Sequence, residues 1–455
     1  MLSLLNNWIK FSMILFFGLC VGGFFLLFLP LIAVKPLFMM ASIIGAALAV
    51  VFFVSPESCF LILLLFRSSL DPVLQKTKLS LGGGGDLGFG ALLNFLIIFM
   101  AVVFCFKRPS VLKRLPLVSV WTSFLLISGL SVTYSVDRMS AIKLFSNFVS
   151  YFAVFSIPFL IIDNKKEVRF WTTALTFSFL FPILFSAIGF ISGGKVVVEG
   201  ETRLIGSFTH PNILAFFMIL ALAVIMYAWR KRHLSLSGPQ KMVLILMALL
   251  ALMELVATKT RNAWVAFWFM TFMFGVIKDR KFIFIAFMVI PLAMLVPSVR
   301  ERVVEIFTVH RSNLEQGMNS WEWRLTVWRS SWESIRQSPV FGHGLASFVP
   351  LSGKFFPSGE EIAAHNTYLQ ILFEQGVIGL MSFFALLGAL WTAVYHVWKK
   401  EKLAEYAVVL VYIASFAVVC FADNLLYYLV LNWYFLFFIG LVLRDAQIKK
   451  EAGMA

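Results

Sequence analysis

The chain alternates long apolar runs with short polar joints. A helix crosses a bilayer in roughly 20 apolar residues. On that length the sequence predicts spans near 11–33, 37–54, 89–106, 115–133, 143–162, 169–192, 211–229, 241–257, 262–277, 281–298, 376–398, 405–422 and 425–443. A shorter apolar run at 56–66 follows Pro56 and reads as a further tilted or re-entrant span. Residues 299–375 break the alternation as the one long polar stretch, and long connections in compact membrane proteins tend to carry function. The expected fold is an all-α polytopic membrane protein of about 12–14 transmembrane helices. Its expected parts are an N-terminal transmembrane bundle over 1–298, a large extracytoplasmic loop over 299–375 with amphipathic helices, and C-terminal transmembrane helices with a short tail over 376–455.

Charge placement gives this bundle an orientation. The joints Lys107–Arg114, Lys165–Arg169, Arg230–Lys241, Lys278–Lys281 and Lys399–Lys402, and the tail from Arg444, are rich in Lys and Arg. They alternate with joints that are not, such as 134–142 and 193–210, so the sign rule assigns the basic set to the cytoplasm. Both termini are then expected inside, with 299–375 outside. Lys10 precedes an apolar run too long for a signal-peptide core, which reads as a retained first span.

Composition agrees: 60% of residues are hydrophobic, only 13% are charged, and mean hydropathy is +0.90. A water-soluble globule is excluded. The net charge of +15 follows from the sign rule and not from a nucleic-acid footprint. Cys20, Cys59, Cys105 and Cys420 lie in or beside apolar runs without metal spacing, so no disulfide framework or metal is expected. The Gly-rich stretch 81–86 lacks the Gly-Lys-Ser/Thr of a nucleotide-phosphate cradle.

Polar chemistry concentrates in four segments. Residues 201–212 place Arg203, then a Gly-Ser-Phe stretch, ahead of Pro211, a helix-start signal. A guanidinium at this edge suits bidentate phosphate binding, while a snorkelling Arg is the plainer alternative. Residues 257–264 join two spans with almost no loop yet hold Lys259 and Arg261 on the outer side, against the sign rule. An anionic ligand would explain them, and Glu254 one turn earlier reads either as an ion-pair partner of one of them or as a catalytic group. Residues 321–336 read as an amphipathic helix whose apolar stripe is Trp321, Leu325, Trp328, Trp332 and Ile335, with Arg324 at its border. The Pro and Gly residues of 338–344 then demand a turn. Finally His365 and Asn366 open a helical pattern just before a span, with Glu374 along it as a capping, pairing or orienting residue. A helix N-terminus disfavours imidazolium, so His365 is expected to be neutral and able to accept a proton.

Taken together, these segments resemble the O-antigen ligase and O-antigen polymerase superfamily. The resemblance rests on Arg203 before Gly-Ser-Phe-x-x-Pro-Asn, on Thr-x-Thr-Arg between spans, on Trp-x-Arg-x-x-x-Trp leading to Pro-x-x-Gly-x-Gly, and on His-Asn-x-x-Leu followed by Glu-x-Gly-x-x-Gly. It extends over about residues 120–440. It implies a glycosyltransferase that takes a glycan from undecaprenyl pyrophosphate at the outer face of the inner membrane, with no cofactor or metal. The acceptor hydroxyl would belong to lipid A–core in a ligase, or to a growing polysaccharide in a polymerase. On this reading His365 is the base, Arg203, Arg261 and Arg324 hold the pyrophosphate, and Asn366, Glu374 and Lys259 support them. The competing class is a lipid-linked glycan flippase or transporter, which would carry its charges at mid-membrane depth and would rarely need so long an outer loop.

Overall fold

The computed structural model describes residues 36–80, 86–192, 195–198, 201–231, 234, 236–295, 297, 300–301 and 320–453. The expected span 11–33 with Lys10 and Cys20, most of the Gly-rich stretch, and 302–319 of the long loop lie outside the described residues.

Helices dominate: α1 (Pro36–Val54), α2 (Pro56–Phe66), the short α3 (Asp71–Lys76), α4 (Phe89–Lys107), α5 (Val118–Thr133), α6 (Arg138–Ile161), α7 (Lys165–Ser178), α8 (Leu180–Ile191), α9 (Pro211–Arg230), α10 (Gly238–Ala257), α11 (Arg261–Ile277) and α12 (Lys281–Met294). The long loop contributes α13 (Ser320–Gln337) and α14 (Phe348–Phe355), and α15 (Thr367–Glu401), α16 (Ala404–Val419) and α17 (Leu429–Glu451) complete the chain. Two antiparallel hairpins, β1 (Lys78–Ser80) with β2 (Asp86–Gly88) and β3 (Lys195–Val198) with β4 (Glu201–Leu204), sit between helices. Local signals explain where helices begin. Asp137 and Asn164 cap α6 and α7 with their side chains, Ser237 and Gln240 form a reciprocal capping box at α10, and Pro211 opens α9.

The fold is an all-α polytopic membrane protein. Among the described residues, seven helical segments are long and apolar enough to cross a bilayer, and four further apolar helices are shorter. The expected 12–14 is therefore not reached by length alone. Some apolar runs form shorter helices: α5 and α16 have 16 residues each, below the roughly 20 of a perpendicular span.

The C-terminal helices are not a separate block. α17 lies along α6, where Gly440 allows close approach: a Cβ there would meet the Phe155 carbonyl at 2.4 Å. Aromatic rings fill the adjoining space, with Trp121, Phe124, Phe148 and Phe155 fully buried in a shared apolar core.

Ion pairs gather the Lys/Arg-rich joints on one face. Arg108 pairs with Asp163, Lys231 with Asp445 at 3.0 Å, Arg230 with Asp279 at 3.5 Å, and Lys449 with Glu401 at 3.1 Å. The four chemistry-bearing segments meet at the opposite ends of the same helices. The alternation read from charge is thus a physical separation of two faces.

Candidate active site

The site begins with Arg203. The β3–β4 register sets it opposite Val196, and it is buried. Its Nε donates to the Thr258 carbonyl at 2.8 Å, and Nη2 donates to Asn212 Oδ1 at 3.0 Å and Thr260 Oγ1 at 2.9 Å. Arg203 therefore clamps its hairpin to the α9 start and to the joint before α11. Lys has no planar fork to satisfy three such acceptors. Arg203→Lys is expected to lower the thermal stability of the detergent-solubilised protein by about 1–3 kcal/mol, the usual cost of stranding buried acceptors; an unchanged melting temperature would remove the clamp.

From Asn212 the network continues to a residue with no motif of its own. Asn212 Nδ2 donates to Asp423 Oδ2 at 2.7 Å. Asp423, in the short α16–α17 joint, is fully buried, and its Oδ1 accepts from Tyr428 Oη and the Asn424 amide, both at 2.7 Å. Its carbonyl accepts from Thr367 Oγ1 at 2.8 Å, which pins the start of α15. His365 Nδ1 lies 3.8 Å from Asp423 Oδ1, and the His365 side chain is 30% exposed. Burial opposes the charge of Asp423. The His365 ring beside it, with Tyr428 and the Asn424 amide, outweighs that penalty and holds its carboxyl below the ordinary value. The result is an imidazole backed by an ionised carboxylate, open to solvent on its other side.

A rigid turn presents this histidine. Asn366 caps α15 by accepting from the Leu369 amide at 3.0 Å, and His365 before it takes a left-handed φ of 45°. Trp323 of α13 meets the His365 ring edge-on at 5.4 Å. α15 breaks at Gly376 (φ 64°), where the 338–344 turn packs against it. The Gly344 amide donates to the Glu374 carbonyl at 2.8 Å, and Ser135 Oγ donates to the Leu345 carbonyl at 2.6 Å, which ties the turn to the residues just after α5. Glu374 is buried and accepts from Gln370 at 2.9 Å and Tyr427 at 3.1 Å, while Gln370 accepts from Asn424 at 2.7 Å. Its place is in the scaffold that carries Asp423.

Arg261 opens α11 half-buried, one residue after Thr260, and Lys259 holds a left-handed φ of 52° that tightens the joint. Arg324 is half-buried on α13, next to the Trp323 that meets the His365 ring. The structure thus brings Arg203, Arg261, Arg324, His365 and Asn366 to one face. Two expectations change. The stripe of α13 is rotated: Val327, Ser331 and Ile335 are buried, with Trp323 and Trp328 packed beside them, whereas Trp321 and Trp332 are exposed. Glu254 does not pair with the joint; it is buried, and its carboxylate meets no hydrogen-bond partner among the described residues. Asp423 is the residue that sequence reasoning missed. Its only signal was a carboxylate in an otherwise apolar or amide joint on the outer side.

A helical membrane bundle thus carries arginines, an imidazole and a buried carboxylate on one face, outside its apolar core. Residues 246–384 match the family model described as O-antigen ligase, and this bears out the resemblance to the O-antigen ligase and polymerase superfamily over the joint, the long loop and the start of α15. The match supports activity of the O-antigen ligase or polymerase type, on lipid-linked glycan and polysaccharide substrates in general. No curated protein matches the chain.

Proposed function

We propose that this protein transfers a glycan from undecaprenyl pyrophosphate to an acceptor hydroxyl at the outer face of a bacterial cytoplasmic membrane, with both termini in the cytoplasm. The observation that carries this reading is the hydrogen-bonded path Arg203–Asn212–Asp423, with the part-exposed His365 ring 3.8 Å from the same carboxylate.

The acceptor oxygen attacks the reducing-end carbon of the glycan, and the bond from that carbon to the pyrophosphate oxygen breaks. The electron pair leaves with undecaprenyl pyrophosphate, while the hydroxyl proton passes to His365. Asp423 holds the ring and stabilises the imidazolium that forms, the role of a buried carboxylate in any His–Asp pair. Charge building on the diphosphate meets the positive potential of Arg261, Arg324 and Arg203, fixed in advance by the fold. Lys259 adds to that potential, and Asn366 and Glu374 keep the helix end and the turn in place. The acceptor is lipid A–core in a ligase or a growing polysaccharide in a polymerase.

Deletion of the chain followed by gel analysis of surface glycan tests the reading. Accumulation of carrier-linked polymer marks a ligase, and single capped units mark a polymerase. In the same assay Arg261→Ala is expected to lower transfer by about 10²–10³-fold, the usual loss for one preorganised charge donor, with normal membrane insertion. Wild-type polymer from that variant, or translocation of glycan in vesicles with no new glycosidic bond, would overturn the assignment.

A further inference from the structure

A cavity of about 310 Å³ lies on the motif face outside the matched stretch 246–384. Its walls come from the α2–α3 joint, the start of α4, the first half of α6, and the starts of α9 and α17. Arg67, Asp71, Asn94, Lys143, Asn147 and Tyr428 give it its chemistry. Tyr428 is also the residue whose hydroxyl holds Asp423 at 2.7 Å, so the cavity stands one side chain away from the carboxylate behind His365.

The polar groups here are built in and incompletely satisfied. The Arg67 side chain is only 5% exposed; its Nη1 pairs with Asp71 at 2.5 Å and its guanidinium covers the Trp433 ring at 5.6 Å. Its Nε has no hydrogen-bond partner among the described residues. Asn94 donates to Asn147 at 2.5 Å, while Asn94 Oδ1 is likewise without a partner among them. Both of these atoms are closed to solvent, so the lining that a ligand can reach includes Asp71, 16% exposed, and the half-buried Asn147. A ligand that both donates and accepts can pair with a carboxylate and an amide together, and sugar hydroxyls do this. Lys143 is exposed at the rim and adds a positive charge that the Arg67–Asp71 pair does not neutralise. Gly90 keeps the space open: a Cβ there would meet no atom within 4 Å.

We infer that this cavity is a saccharide subsite for an anionic sugar unit of the glycan substrates, its hydroxyls on Asn147 and Asp71, its charged group on Lys143. The volume sits at the lower end of the ~300–1,000 Å³ of small-ligand sites, which suits about one or two sugar rings. This inference rests on the glycan-transfer reading but has its own test.

Calorimetric titration of the full chain in neutral-lipid nanodiscs with a glucuronic-acid disaccharide, and with its uncharged glucose counterpart, measures the site directly. The acidic sugar is expected to bind about tenfold or more tightly than the neutral one, the worth of one charge-assisted contact. Lys143→Gln, a change at an exposed position, is expected to erase that preference, and Gly90→Leu to block both sugars. His365→Ala is expected to bind like wild type, so a variant that keeps transfer after losing His365 sinks the proposed reaction without touching this result. No binding, or binding indifferent to both cavity variants, overturns the subsite. A Lys143-dependent response to phosphatidylglycerol in place of the sugar also overturns it and assigns the cavity to a lipid headgroup.

Discussion

His365→Ala is expected to lower glycan transfer by about 10²–10⁴-fold, the range for loss of a positioned general base, while membrane insertion and donor binding stay near wild type. The geometry behind this is specific. The ring is fixed by Trp323 at 5.4 Å on one side and faces Asp423 at 3.8 Å on the other. Asp423→Asn separates positioning from packing. The amide retains much of the shape, but it offers no countercharge to an imidazolium. Turnover should therefore fall with little change in donor KM. Asp423→Glu should recover part of the rate. Normal polymer from His365→Ala would end the role assigned to the imidazole, and wild-type turnover in Asp423→Asn would reduce the carboxylate to scaffold.

The second large effect is on folding. At Gly376 the backbone holds φ 64°, and a Cβ would stand 2.2 Å from the Val340 carbonyl oxygen and 2.6 Å from the Phe341 amide nitrogen. Both obstacles are main chain, so no side chain can swing away. Gly376→Val adds the roughly 1–3 kcal/mol of a left-handed β-branched residue to a backbone collision. It is expected to abolish recovery of monodisperse protein in fluorescence-detected size-exclusion chromatography. Gly388→Ala, lower on the same helix with nothing within 4 Å of its Cβ, is the matched control and is expected to leave recovery and melting temperature unchanged or slightly raised. Equal recovery from the two variants would mean that the turn is not locked to the helix break.

Much of this was legible in sequence because it is local. Apolar run length gave most helices, Pro211 and Asn366 marked their starts, and the excess of Lys and Arg on alternate joints foretold the two faces. The unusual cations Lys259 and Arg261 stood out by breaking that same rule. Asp423 did not, because its meaning is entirely non-local: its partners Asn212 and Thr367 are 211 and 56 residues away in the chain. Nothing in the spacing of the 420–428 joint announces such contacts. Helix phase on α13 failed for a related reason. Trp321 and Trp332 satisfy a helical repeat, yet the neighbouring helices bury the face defined by Val327, Ser331 and Ile335. Amphipathic spacing marks a stripe, and packing chooses which stripe turns inward.

The shared carboxylate also constrains how this enzyme can change over evolutionary time. Asn212, Tyr428, the Asn424 amide and Thr367 converge on Asp423 from three stretches of chain. Substitutions among them should be strongly epistatic, their effects far from additive. A chimera that exchanges only the long loop with a relative would inherit a histidine without its matched cradle. Recombination should succeed only when the pieces around 203–212, 365–375 and 423–428 travel together as one heritable module.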